Sequence, residues 1–87
     1  MSTIGGELGQ LHSLRSSLDR HSQTIQELTQ AVRGQIDQTW WQGPAADRFR
    51  EAWGGEFEPA LRKLQMALQD AGAEVARRRD ALIQAGS

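Results

Sequence analysis

The sequence contains no cysteine, no tyrosine and only two prolines among its 87 residues. Without cysteine the chain has neither a disulfide framework nor a thiolate metal site, so packing alone must hold the fold. Ten basic and eleven acidic residues leave a net charge of −1. This balance gives no electrostatic reason to expect nucleic acid as a partner.

Long apolar runs are also missing. No stretch approaches the ~18 consecutive apolar residues of a membrane span, so we expect no membrane insertion. The first ten residues carry neither a basic start nor an apolar segment. A cleaved signal peptide has both features, and we therefore expect that the chain does not use the general secretory route.

The first half of the chain has a strong helical periodicity. Apolar residues recur there every seven positions, at Ile4, Leu11, Leu18, Ile25 and Val32. Further apolar residues flank this row at spacings of three or four, at Leu8, Leu14, Leu28 and Ile36. The pattern predicts one amphipathic helix over about residues 4–38, with its apolar stripe on one side.

The second half repeats this pattern after a break at Gly43-Pro44. A second row of seven-residue spacing contains Leu61, Leu68, Val75 and Leu82, with Phe57 and Leu64 interleaved. Pro44 suits the first turn of a helix, where its missing N–H has no partner to lose. We predict a second helix over about residues 45–84. Gly54, Gly55 and Pro59 weaken it, and they predict a kink near residues 54–59.

Two long helices joined by a short turn, at about residues 39–44, must lie antiparallel. The sequence therefore predicts a single all-α domain over residues 1–87, built as a two-helix hairpin. A lone pair of helices buries only part of each apolar stripe, and small domains rarely gain enough stability from one core. We accordingly expect the hairpin to dimerise into a four-helix bundle.

Residues that could carry chemistry are few, and we predict no catalytic, cofactor-binding or metal site. His12 and His21 are nine positions apart on one predicted helix, too far to share a metal. His21 lies between Leu14 and Leu28, either as a hydrogen-bonded imidazole or as a pH switch on assembly. The run Arg77-Arg78-Arg79 either complements the negative end of a helix or docks an acidic partner.

The chain holds three tryptophans, Trp40, Trp41 and Trp53, which flank the turn on both sides. One interpretation is a hydrophobic plug that closes this end of the bundle. The other is that at least one indole stays exposed as an anchor for a partner, as tryptophans often do at interfaces. Both can hold for different residues.

The turn also carries a family motif. Trp41-Gln42-Gly43 lies near the middle of the chain and is followed by Ala45-Ala46, Phe49 and Trp53. With a heptad-like helix on either side, this arrangement resembles the WXG-motif family of small early-secreted-antigen-like proteins. The resemblance covers roughly residues 4–83.

That resemblance implies a helical hairpin that forms homodimers or heterodimers and is exported by type VII secretion without a cleaved signal peptide. Such proteins are cytoplasmic before export, and they act as substrates or as adaptors that accompany a substrate to the secretion machinery. In this family the turn tryptophan helps to form a groove, a role that falls here to Trp41, with Gly43 allowing the turn.

One departure from the family pattern concerns export. The family signal is Tyr-x-x-x-Asp/Glu just after the second helix, and this sequence contains no tyrosine. We therefore expect this chain to be the half of a heterodimer that lacks the signal, with a partner that carries it. The partner is another WXG-type protein or a helical effector domain.

The leading prediction is a type VII substrate or adaptor, not an enzyme, that works by protein–protein association. Its predicted partner-binding residues are Leu11, Leu18, Ile25, Val32, Trp53, Phe57, Leu61, Leu64, Leu68 and Val75. The alternative is a cytoplasmic chaperone or scaffold-like bundle that binds a toxin or effector and is not itself exported.

Overall fold

The computed structural model describes residues 3–86, with side chains from Gly6 onward, so the side chain of Ile4 lies outside the described part. Helix α1 covers Thr3–Gln38, α2 covers Pro44–Ala52 and α3 covers Glu58–Gly86. A single π-helical stretch, Trp53–Phe57, joins α2 to α3 and is called the π-segment below. The predicted all-helical hairpin is confirmed, and the described residues contain no strand.

Helix α1 is uninterrupted because residues 3–38 contain no proline and its apolar row keeps one side toward α3. At ~1.5 Å per residue a helix of this length spans roughly 54 Å. The chain is accordingly a rod, with extents of 64 × 17 × 14 Å.

The turn between α1 and α2 is held by both backbone and side chains. Gly43 has φ 115°, the positive value that favours glycine, and it precedes Pro44 at the start of α2. Arg50 reaches back from α2 and donates to the carbonyl of Trp41 at 2.8 Å and to that of Thr39 at 3.3 Å. The turn is thus tied to the helix that follows it.

The π-segment lies where the glycine pair and Pro59 interrupt the pattern of the second helical stretch. Glu58 donates its N–H to the carbonyl of Trp53, five residues back, which is the wider π turn. Pro59 has no N–H, and its ring crowds the carbonyl of Gly55 in a regular α turn. The helix therefore continues through this region with one extra residue in its turn.

The extra residue keeps the apolar rows aligned. The row of α3 continues at seven-residue steps from Leu82 back to Leu61, then makes one step of eight to Trp53 and one of seven to Ala46. Ala46 is fully buried and Trp53 is half-buried, so both are shielded from solvent on either side of the eight-residue step. A regular α turn at this place would rotate them away by about 100°.

The interface between α1 and α3 is only partly apolar. Its buried members are Ser22, Thr29 and Gly72. Arg15 crosses it and donates to the carbonyl of Gly72 at 2.8 Å, while its Nε donates to Asp19 at 2.8 Å. These polar contacts fix the register of the two helices. Among the described residues of the hairpin, no large side chain is fully buried.

Candidate functional site: an exposed apolar face of the hairpin

The predicted seven-residue rows lie between the two helices of the hairpin. Every member of them with a described side chain is half-buried: Leu11, Leu18, Ile25, Val32, Leu61, Leu68, Val75 and Leu82. Their inner sides already contact the opposite helix of their own chain. Only the exposed part of each side chain is available to a partner. The contact of these residues with a partner therefore stays a prediction.

A second set of apolar side chains is more exposed than these rows. Leu14, Leu28, Phe57 and Leu64 are between 44% and 50% exposed. At ~100° per residue, Leu14 and Leu28 lie about 60° from the row of Leu11 on α1, and Leu64 lies at the same offset from Leu61 on α3. In an antiparallel pair these offsets fall on the same side, so the four residues share one surface, called the apolar face below.

Small residues lie next to the leucines of the apolar face, so the surface beside these leucines is low. Ala60, Ala67 and Ala71 are exposed beside Leu64 on α3. On α1 the exposed His21 lies midway between Leu14 and Leu28. Small residues permit another helix to approach closely, and the flanking leucines supply area to bury. The apolar face is thus a set of exposed leucine, phenylalanine and alanine side chains along both long helices.

The opposite side of the hairpin is polar. An open hollow of about 310 Å³ lies between the helices there, and its lining is Gln26, Thr29, Gln30, Arg33, Arg62, Gln65 and Met66. Glu58 forms ion pairs with Arg33 and, at 3.8 Å, with Arg62 at the end of this hollow. The two sides therefore differ: among the described residues Leu14, Leu28, Phe57 and Leu64 are exposed on the apolar face, whereas Met66 is the large apolar side chain that is exposed at the hollow.

The three tryptophans occupy three different environments. Trp40 is 86% exposed at the tip of the hairpin. Trp41 is 43% exposed, and its ring packs on Phe49 with centroids 5.9 Å apart. Trp53 is half-buried, and its indole N–H is enclosed without a hydrogen-bond partner. Trp53 thus fits the predicted plug, whereas Trp40 and Trp41 leave indole surface open to a partner.

Charged groups at the far end of the hairpin are paired locally. Arg78 on α3 contacts Glu7 on α1 at 3.4 Å, which ties the two free ends together. Arg77 pairs with Glu74 in the same helix, and the hydrogen bond that its guanidinium donates to this carboxylate raises the pKa of the guanidinium. The predicted arginine run therefore joins the helices as well as facing solvent.

Sequence reasoning placed Leu14 and Leu28 only as flanks of the main row and did not select them as binding residues. Their spacing indicates that they lie apart from the main row, because residues offset by three positions from a row lie on a different side of the helix. Phe57 and Leu64 were selected, and they lie on the apolar face. Trp40 was not selected, since exposure of one indole in a turn is not encoded in spacing.

The described residues offer little for other kinds of site. No group of three or more His, Asp or Glu side chains in residues 3–86 could together hold a metal ion. None of the described helices combines the length and apolar character needed to cross a bilayer.

Comparison with known proteins agrees with the motif at the turn. A search of curated proteins and one of solved structures gave no match. The model of the WXG100 family, described as proteins of 100 residues with WXG, matches residues 4–87. That family comprises small helical proteins associated with type VII secretion, whose members typically pair with other WXG proteins. The match covers nearly the whole chain, and this protein therefore belongs to the WXG100 family.

Proposed function

We propose that this protein is a substrate or adaptor of type VII secretion that acts through association of its apolar face with a partner carrying the export signal. The observation that supports this proposal is a helical hairpin whose exposed apolar residues lie on one side. Catalysis has no part in the proposal, because association alone accounts for the surface. The chain is cytoplasmic before export and leaves without cleavage of a signal peptide.

The accessible surface of the chain supports a need for a partner. The chain exposes 6439 Å², whereas a compact monomer of its mass exposes about 5,100 Å². The excess is roughly 1,300 Å², and a specific interface of ordinary size covers about 800 Å² on each partner. One docked partner of that size would therefore cover roughly 60% of this excess.

The pairing of family members supports a partner that carries the signal. Members of the family pair with other WXG proteins, and a pair needs only one copy of a signal. The adaptor role follows, with this chain supplying the helical surface and its partner the Tyr-x-x-x-Asp/Glu pattern.

The experiment that tests the proposal compares two aspartate substitutions. Leu64→Asp places a charge on the apolar face, and burial of an unpaired charge is costly. Met66→Asp is the matched control, since Met66 is 62% exposed and lines the polar hollow on the opposite side. Culture supernatants are blotted beside a cytoplasmic lysis marker.

Loss of export for Leu64→Asp with normal export for Met66→Asp is the expected result. A wild-type chain that stays in the cell and still binds an effector would favour the chaperone or scaffold function. Export of Leu64→Asp at the wild-type level would show that the apolar face has no part in secretion.

Trp41 provides a second test at the turn. Its half-exposed ring contributes to the tip surface, while the fold at this place is held by Arg50 and Gly43. Trp41→Ala is therefore expected to reduce export more than it reduces the melting temperature measured by circular dichroism. Equal losses in both would assign the ring to folding.

A further inference from the structure

We propose that the polar hollow between α1 and α3 is a binding site for a small organic oxyanion, a carboxylate or phosphate group on a short body, whose anionic end is held by Arg62. The hollow lies on the side of the hairpin opposite the apolar face, so a ligand bound there leaves that face free. The inference therefore goes beyond the proposed function and is tested separately from it.

Both long helices contribute side chains to the polar hollow. Gln26, Gln30 and Arg33 follow one another on one side of α1, three or four positions apart, and Arg62 and Gln65 line the hollow from α3. Clefts between packed helices are a common location for small-molecule sites. No pattern within one helix indicates this site, because its two arginines lie far apart in the sequence and come together only in the folded hairpin.

One end of the polar hollow carries more positive than negative charge. Arg33 and Arg62 both contact the same carboxylate oxygen, Oε1 of Glu58. The side chain of Glu58 is 13% exposed, whereas that of Arg62 is 64% exposed. Two cations thus share one enclosed anion, and one positive charge stays uncompensated at this end. The anionic group of a ligand would balance it.

Arg62 has hydrogen-bond donors to spare for such a group. Its Nη2 lies 3.8 Å from the Glu58 carboxylate, too far for a hydrogen bond, and Arg62 donates none to any other residue in the described range 3–86. Arg33, by contrast, donates directly to Glu58. A guanidinium presents its N–H groups in a planar fork that matches two oxygens of a carboxylate or phosphate. Arg62 is therefore the group that binds the anion, while Arg33 holds Glu58.

The rest of the lining fits the body of an oxyanion ligand. The side-chain amides of Gln26, Gln30 and Gln65 make no hydrogen bond with another of the residues that the structure describes, and each offers two N–H donors. Thr29 is the buried member of the lining, and its hydroxyl already donates to the carbonyl of Ile25 at 2.7 Å. Donors thus outnumber acceptors in the hollow, which favours a ligand rich in acceptor oxygens.

The size of the polar hollow limits the ligand to a small molecule. Its volume is about 310 Å³, at the lower end of the range of ligand pockets. At about 30 Å³ for each water-sized group, this volume holds a ligand of about ten non-hydrogen atoms. Such a molecule contacts α1 and α3 together, so its binding stabilises the folded hairpin by mass action.

Titration of the isotope-labelled full chain with three probes tests the site. The probes are succinate, inorganic phosphate and succinamide, which is the neutral diamide of succinate. Ionic strength is kept constant, because salt screens exposed charges. Nuclear magnetic resonance follows the side-chain N–H signals of glutamine and arginine, and circular dichroism gives the melting temperature with and without each probe.

We expect saturable shifts with a dissociation constant of about 1 mM for at least one of the two anions, and no binding of succinamide. The melting temperature is expected to rise with the same anion. Saturation by succinate alone would identify a carboxylate ligand, and saturation by phosphate alone would identify a phosphate-bearing one. Shifts that stay linear with both anions, or equal binding of succinamide, would overturn the site.

Two arginine variants test whether the anion binds in the polar hollow. Arg62→Gln removes the free guanidinium and is expected to raise the dissociation constant about tenfold. Arg20→Gln is the matched control, since it removes the same charge from an exposed arginine outside the hollow. The control is expected to change the constant less than about twofold. Equal weakening by both variants would mean that the anion responds only to net charge, which would overturn the site.

Glu58→Gln distinguishes a ligand site from an ion pair that only joins the helices. Glutamine keeps the shape of this side chain but removes the competing anion, so Arg33 also becomes available to the ligand. Anion affinity is expected to increase about threefold or more, and the added anion is expected to raise the melting temperature further than in the wild-type chain. A lower melting temperature with unchanged anion affinity would overturn the placement of the anion beside the two arginines.

Discussion

Single glycines determine the backbone at two positions of this hairpin. One is the turn between α1 and α2, and the other is the point on α3 that the Arg15 side chain reaches from α1. Gly43 is the only described residue with a positive φ, and it sits directly before Pro44. Gly72 lies where Arg15 crosses from α1 to α3, and a Cβ there would come within 3.2 Å of the Arg15 side chain. The structure favours glycine at these two positions. At any other described glycine an added Cβ would have no neighbour within 4 Å.

Gly43→Ala is expected to destabilise the hairpin by about 1–3 kcal/mol, because an L side chain is strained at φ 115°. Gly34→Ala is the matched control, since Gly34 is helical and its added Cβ would have no neighbour within 4 Å. That control is expected to gain about 0.5–1 kcal/mol. The free energy of unfolding in urea distinguishes the two. A neutral Gly43→Ala would show that the turn can adopt another conformation.

Arg15→Ala is expected to destabilise the hairpin by about 1–2 kcal/mol, because it removes a charge-assisted hydrogen bond to the carbonyl of Gly72. Arg20→Ala serves as the comparison, since the guanidinium of Arg20 donates within its own helix, to Ser17 at 3.3 Å. Its expected effect is within about 0.5 kcal/mol. Urea unfolding at one fixed protein concentration measures both. Equal losses would mean that the crossing contact adds nothing to the register.

At the scale of helices, the π-segment explains how one side of the second helical stretch stays apolar across a proline. The sequence predicted a kink at about residues 54–59 from its two glycines and Pro59. The structure has a π-helical stretch there, Trp53–Phe57, which adds one residue to the turn, and the predicted kink stays a prediction. Spacing alone could not distinguish a kink from an inserted residue, because both disturb the same steps of the pattern.

Deletion of Gly55 together with Pro59→Ala is expected to convert the π-segment to regular α-helix while both apolar rows stay aligned, because the eight-residue step becomes seven and no proline ring crowds the turn. Deletion of Ala67 is the control, since it shifts one half of α3 by about 100° relative to the other. Circular dichroism melts are expected to show a cooperative transition near the wild-type temperature for the first and a large loss for the second. Comparable losses would show that the π turn itself is required.

At the scale of the whole molecule, the hairpin is a long rod without a closed core. Its described buried residues are mainly small or polar, and its leucines lie at the surface or half-buried. The stability of such a rod depends on what covers the apolar face. We therefore expect association and folding to be linked in this protein.

We expect the melting temperature of the purified chain to rise with its concentration, because each paired copy stabilises the folded state by mass action. A hundredfold dilution is expected to lower it by several degrees, and the same dilution of Leu64→Asp is expected to have no effect. Scanning calorimetry or circular dichroism measures the shift. A melting temperature independent of concentration in the wild-type chain would mean that the hairpin is stable alone.

The sequence by itself determined the helices, the place of the turn and the family. Seven-residue apolar rows, Gly43-Pro44 and the Trp41-to-Gly43 motif act over short distances along the chain, so local physical rules and a family pattern are enough to read them. The sequence also indicates which apolar residues share a side of each helix, since helical spacing places Leu14 and Leu11 on different parts of the surface of α1.

Only the tertiary structure decided which apolar row the hairpin buries for itself and which it leaves open. That choice depends on the register of α1 against α3, and the register is fixed by contacts between residues more than 40 positions apart, such as Ser22 with Gln65 and Arg15 with Gly72. No pattern within one helix contains this information. With the register known, Leu11 and Leu61 lie inside the hairpin, and Leu28 and Leu64 remain for a partner.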